Sequence, residues 1–364
     1  MPRWADVFLV PLVSILLAFI ISALVILAIG ADPVEAIRTM VTGALGSSYG
    51  WGCTLYYATS FMFTGLSVAV AYHAGLFNIG GEGQATLGGL GVALVCLALP
   101  WTHWWLALPA AMIGAALFGA AWALIPALLQ AKRGSHIVIT TIMFNFIAAS
   151  IMTWLLVDVL IAPGQQSPES RQFAENTWLP FMHQALGWIG IQIPASPLNL
   201  SFVWALVCCV LFWVFIWHTR WGYEIRTVGQ NERAAVYAGI SPSGNIILAM
   251  AISGALAAFV GLNEVLGVHH RLILGFTGGV GFVGIAVALM GRNHPIGIVL
   301  AALLFGALYQ GGSELAFDFP SINREMVVVI QGLVILFAGA LENLFRPRIE
   351  ALFRRSAPQP APAA

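Results

Sequence analysis

Lysine is nearly missing from this sequence: Lys132 is the single one, and Arg133 and Gly134 follow it with no glycine-rich loop ahead of it. A phosphate-binding P-loop needs a lysine directly after its glycines, so the chain is expected to carry no ATPase site of that kind and to be no enzyme. Charge of either sign is scarce. Lys and Arg number 15 and Asp and Glu 15, together 8% of 364 residues, where a soluble domain averages about 25%. That excludes an ordinary water-soluble enzyme. The balanced sum gives no reason to expect a nucleic-acid partner. Cysteine is limited to Cys53, Cys96, Cys208 and Cys209, all in apolar stretches without metal-ligand spacing. They read as core packing. No His-Glu-x-x-His run and no paired-acid motif occurs, which leaves an intramembrane protease unsupported.

What is abundant is apolar: 60% of residues are hydrophobic and the mean hydropathy is +0.89. A helix crossing about 30 Å of hydrocarbon needs roughly 20 mostly apolar residues. Ten windows qualify: 7–29, 52–72, 84–99, 106–130, 137–161, 201–217, 246–263, 276–291, 296–312 and 326–345. The sequence therefore predicts an all-α integral membrane protein of about ten transmembrane helices. The first window is too long for a signal-peptide core and lacks a clean cleavage site. Arginine placement sets the orientation. Lys132 and Arg133, then Arg220, Arg226 and Arg233, then Arg292, and Arg346, Arg348, Arg354 and Arg355 follow alternate spans, and Arg3 precedes the first. All fall on one side when both termini are cytoplasmic. The expected organisation is a transmembrane domain over 1–345, with an outer loop at 162–200 and a cytoplasmic loop at 218–245, then a disordered tail over 346–364.

The outer side is furnished with a short helix, opened by the cap Asp32, Pro33 and Glu35 and expected to stop near Gly43. The proline-bearing loop 162–200 reads either as a receptor contact or lid, or as a solvated connector. His269, His270 and Arg271 fall at the outer mouth, facing a receptor or water. His103 with Trp101, Trp104 and Trp105 reads as an interfacial aromatic belt. A faint repeat relates Gly75–Gly81 to Gly275–Gly281, and Leu117–Ala120 to Leu304–Ala307. By the expected topology the copies are inverted, a pattern common in transporters with glycine-interrupted helices.

Two segments carry functional signals. Asn78-Ile79-Gly80-Gly81-Glu82-Gly83-Gln84 sets polar groups beside membrane-length apolar runs, where burial without partners is expensive. It reads as a broken-helix element lining a solute path, or as a tight cytoplasmic turn with Glu82 in water. In the second, Gly229-Gln230-Asn231-Glu232-Arg233-Ala234-Ala235-Val236-Tyr237-Ala238-Gly239, Asn231 can cap a two-turn helix and Gly239 can end it. Small alanines on one side suit a helix seated in another protein's groove, and equally a plain surface helix.

Together these segments resemble the permease subunits of bacterial ABC importers in the branched-chain amino acid/ribose/nucleoside permease superfamily. Gly75–Gln84, Asp32-Pro33 with Glu35-Ala36, and Gly261-Leu262-Asn263-Glu264-Val265-Leu266-Gly267 are similar to the longer permease of its nucleoside and simple-sugar importers. The resemblance implies a type II importer fold and a plasma (inner) membrane location. It implies a coupling helix at 229–240, with Gly229, Asn231, Glu232, Arg233, Ala234, Ala235, Ala238 and Gly239 engaging the ATPase. It implies a translocation path near Phe77, Asn78, Gly80, Gly81, Glu82 and Gln84, to which Phe144, Asn145, Asn263 and Glu264 are added as candidates. The partners implied are a second, non-identical permease, an ATPase with two fused nucleotide-binding halves that holds ATP and Mg, a periplasmic or lipoprotein substrate-binding protein, and membrane lipid.

A lining of phenylalanines, amides and glycines with little fixed charge suits a neutral polar solute. Nucleosides fit, with ribose-like sugars or branched-chain amino acids as alternatives. An ion-coupled secondary transporter is the rival from another class, and of its required buried acids only Glu82 and Glu264 qualify, both near expected loops.

Overall fold

The computed structural model describes residues 32–319 continuously, and residues 16, 20–21, 23–24, 26–27, 30, 326–329 and 331–333 beside them. The expected spans 7–29 and 326–345 and the tail 346–364 therefore lie largely or wholly outside the described residues. The chain divides into two units, Met1–Gly46 with Leu308–Ala364, and Ser47–Ala307.

In the first unit, helix α1 (Pro33–Leu45) opens as its sequence dictates: Asp32 Oδ1 accepts from the Val34 nitrogen at 2.8 Å, with Pro33 at the first helical position. The helix ends at Leu45, two residues past Gly43. That glycine lies within it and makes room for Glu314, whose Cγ would stand 2.5 Å from a methyl placed there.

The second unit is helical throughout its long elements. These are α2 (Ser48–His73), α3 (Gly81–Ala98), α4 (Trp104–Arg133), α5 (Ile137–Trp154, extended by a π-turn over Leu155–Val159), α6 (Met182–Gly187), α7 (Ser201–His218), α8 (Arg220–Gln230), α9 (Glu232–Tyr237), α10 (Pro242–Ala258, prolonged by the π-helical Leu262–His269), α11 (Val280–Met290) and the start of α12 (Pro295–Asp318). Seven helices among the described residues are long and apolar enough to cross a membrane. The eighth expected span, 276–291, is only half a span. Residues 270–279 are non-helical, with turns over 274–279, and the 11 residues of α11 reach about 16 Å.

Helix α2 is buried along nearly its whole length, from Gly50 to Ala71. Glycine explains how its neighbours close around it. In lipid there is no hydrophobic drive between helices, so association depends on close backbone approach. Methyl groups on Gly119 of α4 and Gly254 of α10 would each collide with the other's carbonyl oxygen, and α3 meets both helices through Gly88 against Ala258 and Gly91 against Gly114. By contrast α5 and α7 expose large apolar side chains such as Phe146, Ile139, Val210 and Leu211, the composition of a lipid-facing surface. The four cysteines are buried and form no disulfide with one another, as core packing requires.

The loop 162–200 is neither a solvated connector nor a free lid. Ser170 N, Phe173 N and Leu179 N donate to Leu272 O, His270 O and Leu266 O, and Phe173, Leu179 and Leu198 are buried. It is a packed cap over 266–273. His270 and Arg271 are consumed by it. His270 stacks on Trp178 at 4.1 Å and 7°, and Arg271 pairs with Glu169 at 3.1 Å.

Candidate functional site

The segment 76–79 is non-helical and follows Gly75, whose φ of 74° a side-chain-bearing residue rarely adopts. It leads to the start of α3 at Gly81, which faces Gly281 at the start of α11: a methyl on Gly281 would collide with the Glu82 nitrogen. Gly284 abuts Thr64 near the middle of α2, so two helix N-termini meet deep within the unit. The segments 75–81 and 275–281 are thus brought together, and Gly275 shares the positive φ of Gly75.

Each N-terminus is capped by a side chain from another helix, since an N-terminus leaves backbone N–H groups without intrahelical partners. For α11, Glu82 supplies the cap. Its Oε1 accepts from Thr277 Oγ1 at 2.5 Å and Gly279 N at 2.9 Å, and its Oε2 accepts from Gly281 N at 2.8 Å. A carboxylate there also opposes the positive end of the helix dipole. Glu82 is half-buried and both its carboxylate oxygens accept protein hydrogen bonds, so it is not an acid standing in water. For α3, Asn145 of α5 supplies the cap: Oδ1 accepts from Gly83 N at 2.9 Å, and Nδ2 donates to Ile79 O at 2.9 Å.

Asn78 and Gln84 close the same junction. Asn78 Nδ2 donates to Gln84 Oε1 at 2.9 Å and Ser253 Oγ at 2.8 Å, while its Oδ1 accepts from Gly80 N at 2.8 Å and Gln84 Nε2 at 3.2 Å. Ser253 donates onward to the Ser67 carbonyl at 2.7 Å. Asn78 and Gln84 are fully buried: Asn78 holds the Gly80 backbone N–H, and Gln84 braces the Asn78 amide. Phe77 and Glu82 keep partial exposure. Phe144, one position before Asn145, turns elsewhere and packs its ring 5.2 Å from Trp122.

Asn263 and Glu264 form a second cluster, inside the π-helical end of a span rather than near a loop. Glu264 accepts from the Tyr56 hydroxyl, from Ser60 Oγ at 2.9 Å and from Asn263 Nδ2 at 3.3 Å. Asn263 Oδ1 in turn accepts from Asn199 Nδ2 at 3.0 Å and Ser201 Oγ at 2.8 Å. The cluster ties the cap loop and the start of α7 to α2. Buried polar groups in low-dielectric surroundings are costly unless satisfied, and these are satisfied. Tyr56, Ser60, Asn199, Ser253 and Thr277 escape a reading of the sequence alone. The repeat at 275–281 is the one signal that points toward Thr277.

At the other end, α9 runs over Glu232–Tyr237 and is capped by Asn231 Oδ1, which accepts from Ala234 N at 3.1 Å. Gly239 ends it at φ 75°. Only Ala235 of this turn is buried; Arg233, Ala234 and Ala238 are exposed beside Val236 and Tyr237, the latter 94% exposed. Gly229, at the end of α8, presses on the turn at His73–Gly75.

Comparison with known proteins adds to this geometry. Residues 51–339 match the family described as branched-chain amino acid transport system / permease component. The guanosine ABC transporter permease NupP of Bacillus subtilis is 35% identical over 91% of this chain and 93% of its own length. The nucleoside ABC transporter permease NupB of Lactococcus lactis is 34% identical over 94% of each. A glucose ABC transporter permease of Haloferax volcanii is 34% identical over 97% of this chain and 93% of its own. Each of the two bacteria also has a second permease of the same description, 29% identical to this chain.

Proposed function

The chain belongs to the branched-chain amino acid transport system / permease component family, and from that premise we propose that it is the membrane-spanning subunit of an ATP-binding-cassette importer of nucleosides. The observation that carries this reading is near-full-length similarity to a guanosine and a nucleoside permease. The glucose permease of comparable identity supports a second reading, import of a simple sugar by the same machinery.

In this reading, the chain crosses the bacterial plasma membrane ten times with both termini cytoplasmic. It pairs with a second, non-identical permease, as the paired relatives suggest. A separate ATPase with two fused halves holds ATP and Mg, and a substrate-binding protein delivers the solute. The exposed face of α9, with Arg233, Ala234, Val236, Tyr237 and Ala238, docks on the ATPase. Solute passes the converging starts of α3 and α11, against Phe77 and the partly exposed edge of Glu82, whose caps keep that opening in shape. The deeper amides Asn78, Gln84, Asn145 and Asn263 act as its frame. Phe77 offers a flat apolar face for a nucleobase, and the carboxylate edge a hydrogen-bond acceptor for ribose hydroxyls.

Uptake of labelled guanosine, uridine, glucose, ribose and leucine into vesicles holding the full complex tests the reading. Saturable guanosine or uridine uptake that nucleosides, and not glucose, compete away is the expected result. Glucose or ribose uptake with no nucleoside transport or competition selects the sugar reading, and leucine uptake alone removes both.

A further inference from the structure

The cap loop has an unusual second half. From Thr177 to Leu200, 24 residues, there is no Asp, Glu, Lys or Arg. Its base is pinned inward: Phe181 bridges Asn199, Met182 N donates to Leu198 O at 2.7 Å, and Leu179 and Leu198 are buried. Its tip is turned outward. After α6, Ile189 N and Ile191 N both return to Leu186 O, at 3.1 and 3.0 Å, and Gly190 takes φ 84°. This tight knuckle presents Trp188, Ile189 and Ile191 at 65%, 71% and 50% exposure.

The height of that knuckle is fixed by a ring contact. Trp188 stacks on Trp104 at 6.1 Å and 24°, and Trp104 is the first residue of a membrane-spanning helix. Trp105 and Leu106, next along the same span, are also exposed. The apolar tip is therefore continuous with surface that meets lipid. Indole rings settle at the boundary between headgroups and acyl chains, and a contiguous exposed apolar patch marks an interaction surface. A water-exposed surface for a soluble partner carries a polar rim that is usually charged; these 24 residues supply no Asp, Glu, Lys or Arg, and only Gln184 and Gln192 as exposed polar side chains.

We propose that the segment Phe181–Ile193 is a membrane-interface anchor, with Trp188, Ile189 and Ile191 resting in the headgroup layer at the Trp104 end of α4. Its occupant is bilayer lipid. The anchor holds the cap at one depth, and with it the Asn199–Asn263–Glu264 cluster beneath.

Collision accessibility of a nitroxide tests this on the full chain in bilayers of phosphatidylethanolamine and phosphatidylglycerol. The label is attached at Ile189→Cys, Ile191→Cys or the exposed Gln166→Cys. Because the four natural cysteines are buried, they remain in place and the unsubstituted chain gives the labelling background. The expected result is oxygen contact exceeding that of a water-soluble nickel chelate at 189 and 191, the reverse at 166, and a several-fold lower nickel collision rate at the first two. Equal nickel access at all three overturns the anchor. So does protection of 189 and 191 only when a substrate-binding protein is added, which would make the tip a protein contact. If Ile189→Cys fails to fold, quenching by brominated lipid reports on the same contact: the parent chain should be quenched more than Trp188→Phe, and equal quenching overturns the anchor.

Discussion

Gly229 at the end of α8 lies directly on the backbone of Gly75: a methyl on Gly229 would sit 2.8 Å from the Gly75 nitrogen and collide with the His73 carbonyl oxygen, while one on Gly75 would meet the Gly229 Cα at 3.2 Å. No side chain cushions the contact. Two residues beyond Gly229 comes the cap of the exposed helix α9, and one residue beyond Gly75 begins the non-helical run that ends at the junction of α3 and α11. In the proposed coupling, a push on α9 reaches that junction through this backbone contact rather than through rotatable side chains.

The first prediction follows from that contact. Gly229→Val cannot be seated without separating α8 from the turn. The expected outcome is a complex that assembles and hydrolyses ATP but moves several-fold less solute per ATP. Gly134→Ala, at a glycine of φ 68° with nothing within 4 Å, carries only a backbone strain of about 1–2 kcal/mol and should keep the ratio. An unchanged ratio in Gly229→Val refutes the backbone link.

The exposed face of α9 makes the second. Tyr237→Ala and Ala234→Trp alter exposed side chains, so thermal stability should stay within about 0.5 kcal/mol while receptor-stimulated ATP hydrolysis drops. Ala235→Trp is the contrast. Ala235 is fully buried, and overpacking there costs about 1–3 kcal/mol, read as a lower Tm before any effect on hydrolysis. Normal stimulation in both surface variants would argue against docking.

The caps make the third. Asn145→Ala strips a partner from both the Gly83 N–H and the Ile79 carbonyl, each buried group costing about 1–3 kcal/mol when orphaned. A marked fall in Tm is expected. Glu82→Ala should open the start of α11 and lose transport, and Glu82→Gln should retain part of it, because one amide oxygen can still accept from Thr277 or Gly279. Equal loss in Gln and Ala would mean that charge, and not capping, is what position 82 supplies.

Much of this arrangement is legible in the sequence, for reasons that also mark where legibility ends. Hydropathy reports how well a segment tolerates lipid, so the long helices stand out. It does not report backbone conformation, so the apolar run 276–291 conceals the turns before Val280. Caps at Asp32, Asn231 and Ser241 are local and readable. Caps in trans are not: Asn145 is 62 residues from Gly83, and Glu82 is 199 from Gly281. Glu264 looks loop-adjacent because glycines flank it, and only the fold brings Tyr56 and Ser60, more than 200 residues away, to its carboxylate. The cap loop has neither helical nor strand periodicity, and its order rests on backbone bonds to 266–272 that no local pattern encodes.

The fourth prediction concerns orientation. The proposed orientation, argued from arginine-rich loops on alternate connections, has α9 in the cytoplasm and the cap loop outside, and both ends of the proposed mechanism depend on it. Gln166 and Gln230 are exposed, the first in the cap loop and the second between α8 and α9, so single cysteines there are open to reagent while the natural four stay buried. In intact spheroplasts a membrane-impermeant maleimide should label Gln166→Cys and leave Gln230→Cys unlabelled. After permeabilisation both should label. The pattern is a strict test, because an odd number of crossings between 166 and 230 is needed, and α7 is the only membrane-spanning helix described between them. Labelling of both from outside would mean that α7 does not cross. The reversed pattern would turn the chain over, set α9 facing away from any cytoplasmic ATPase, and remove the route by which hydrolysis reaches Gly75.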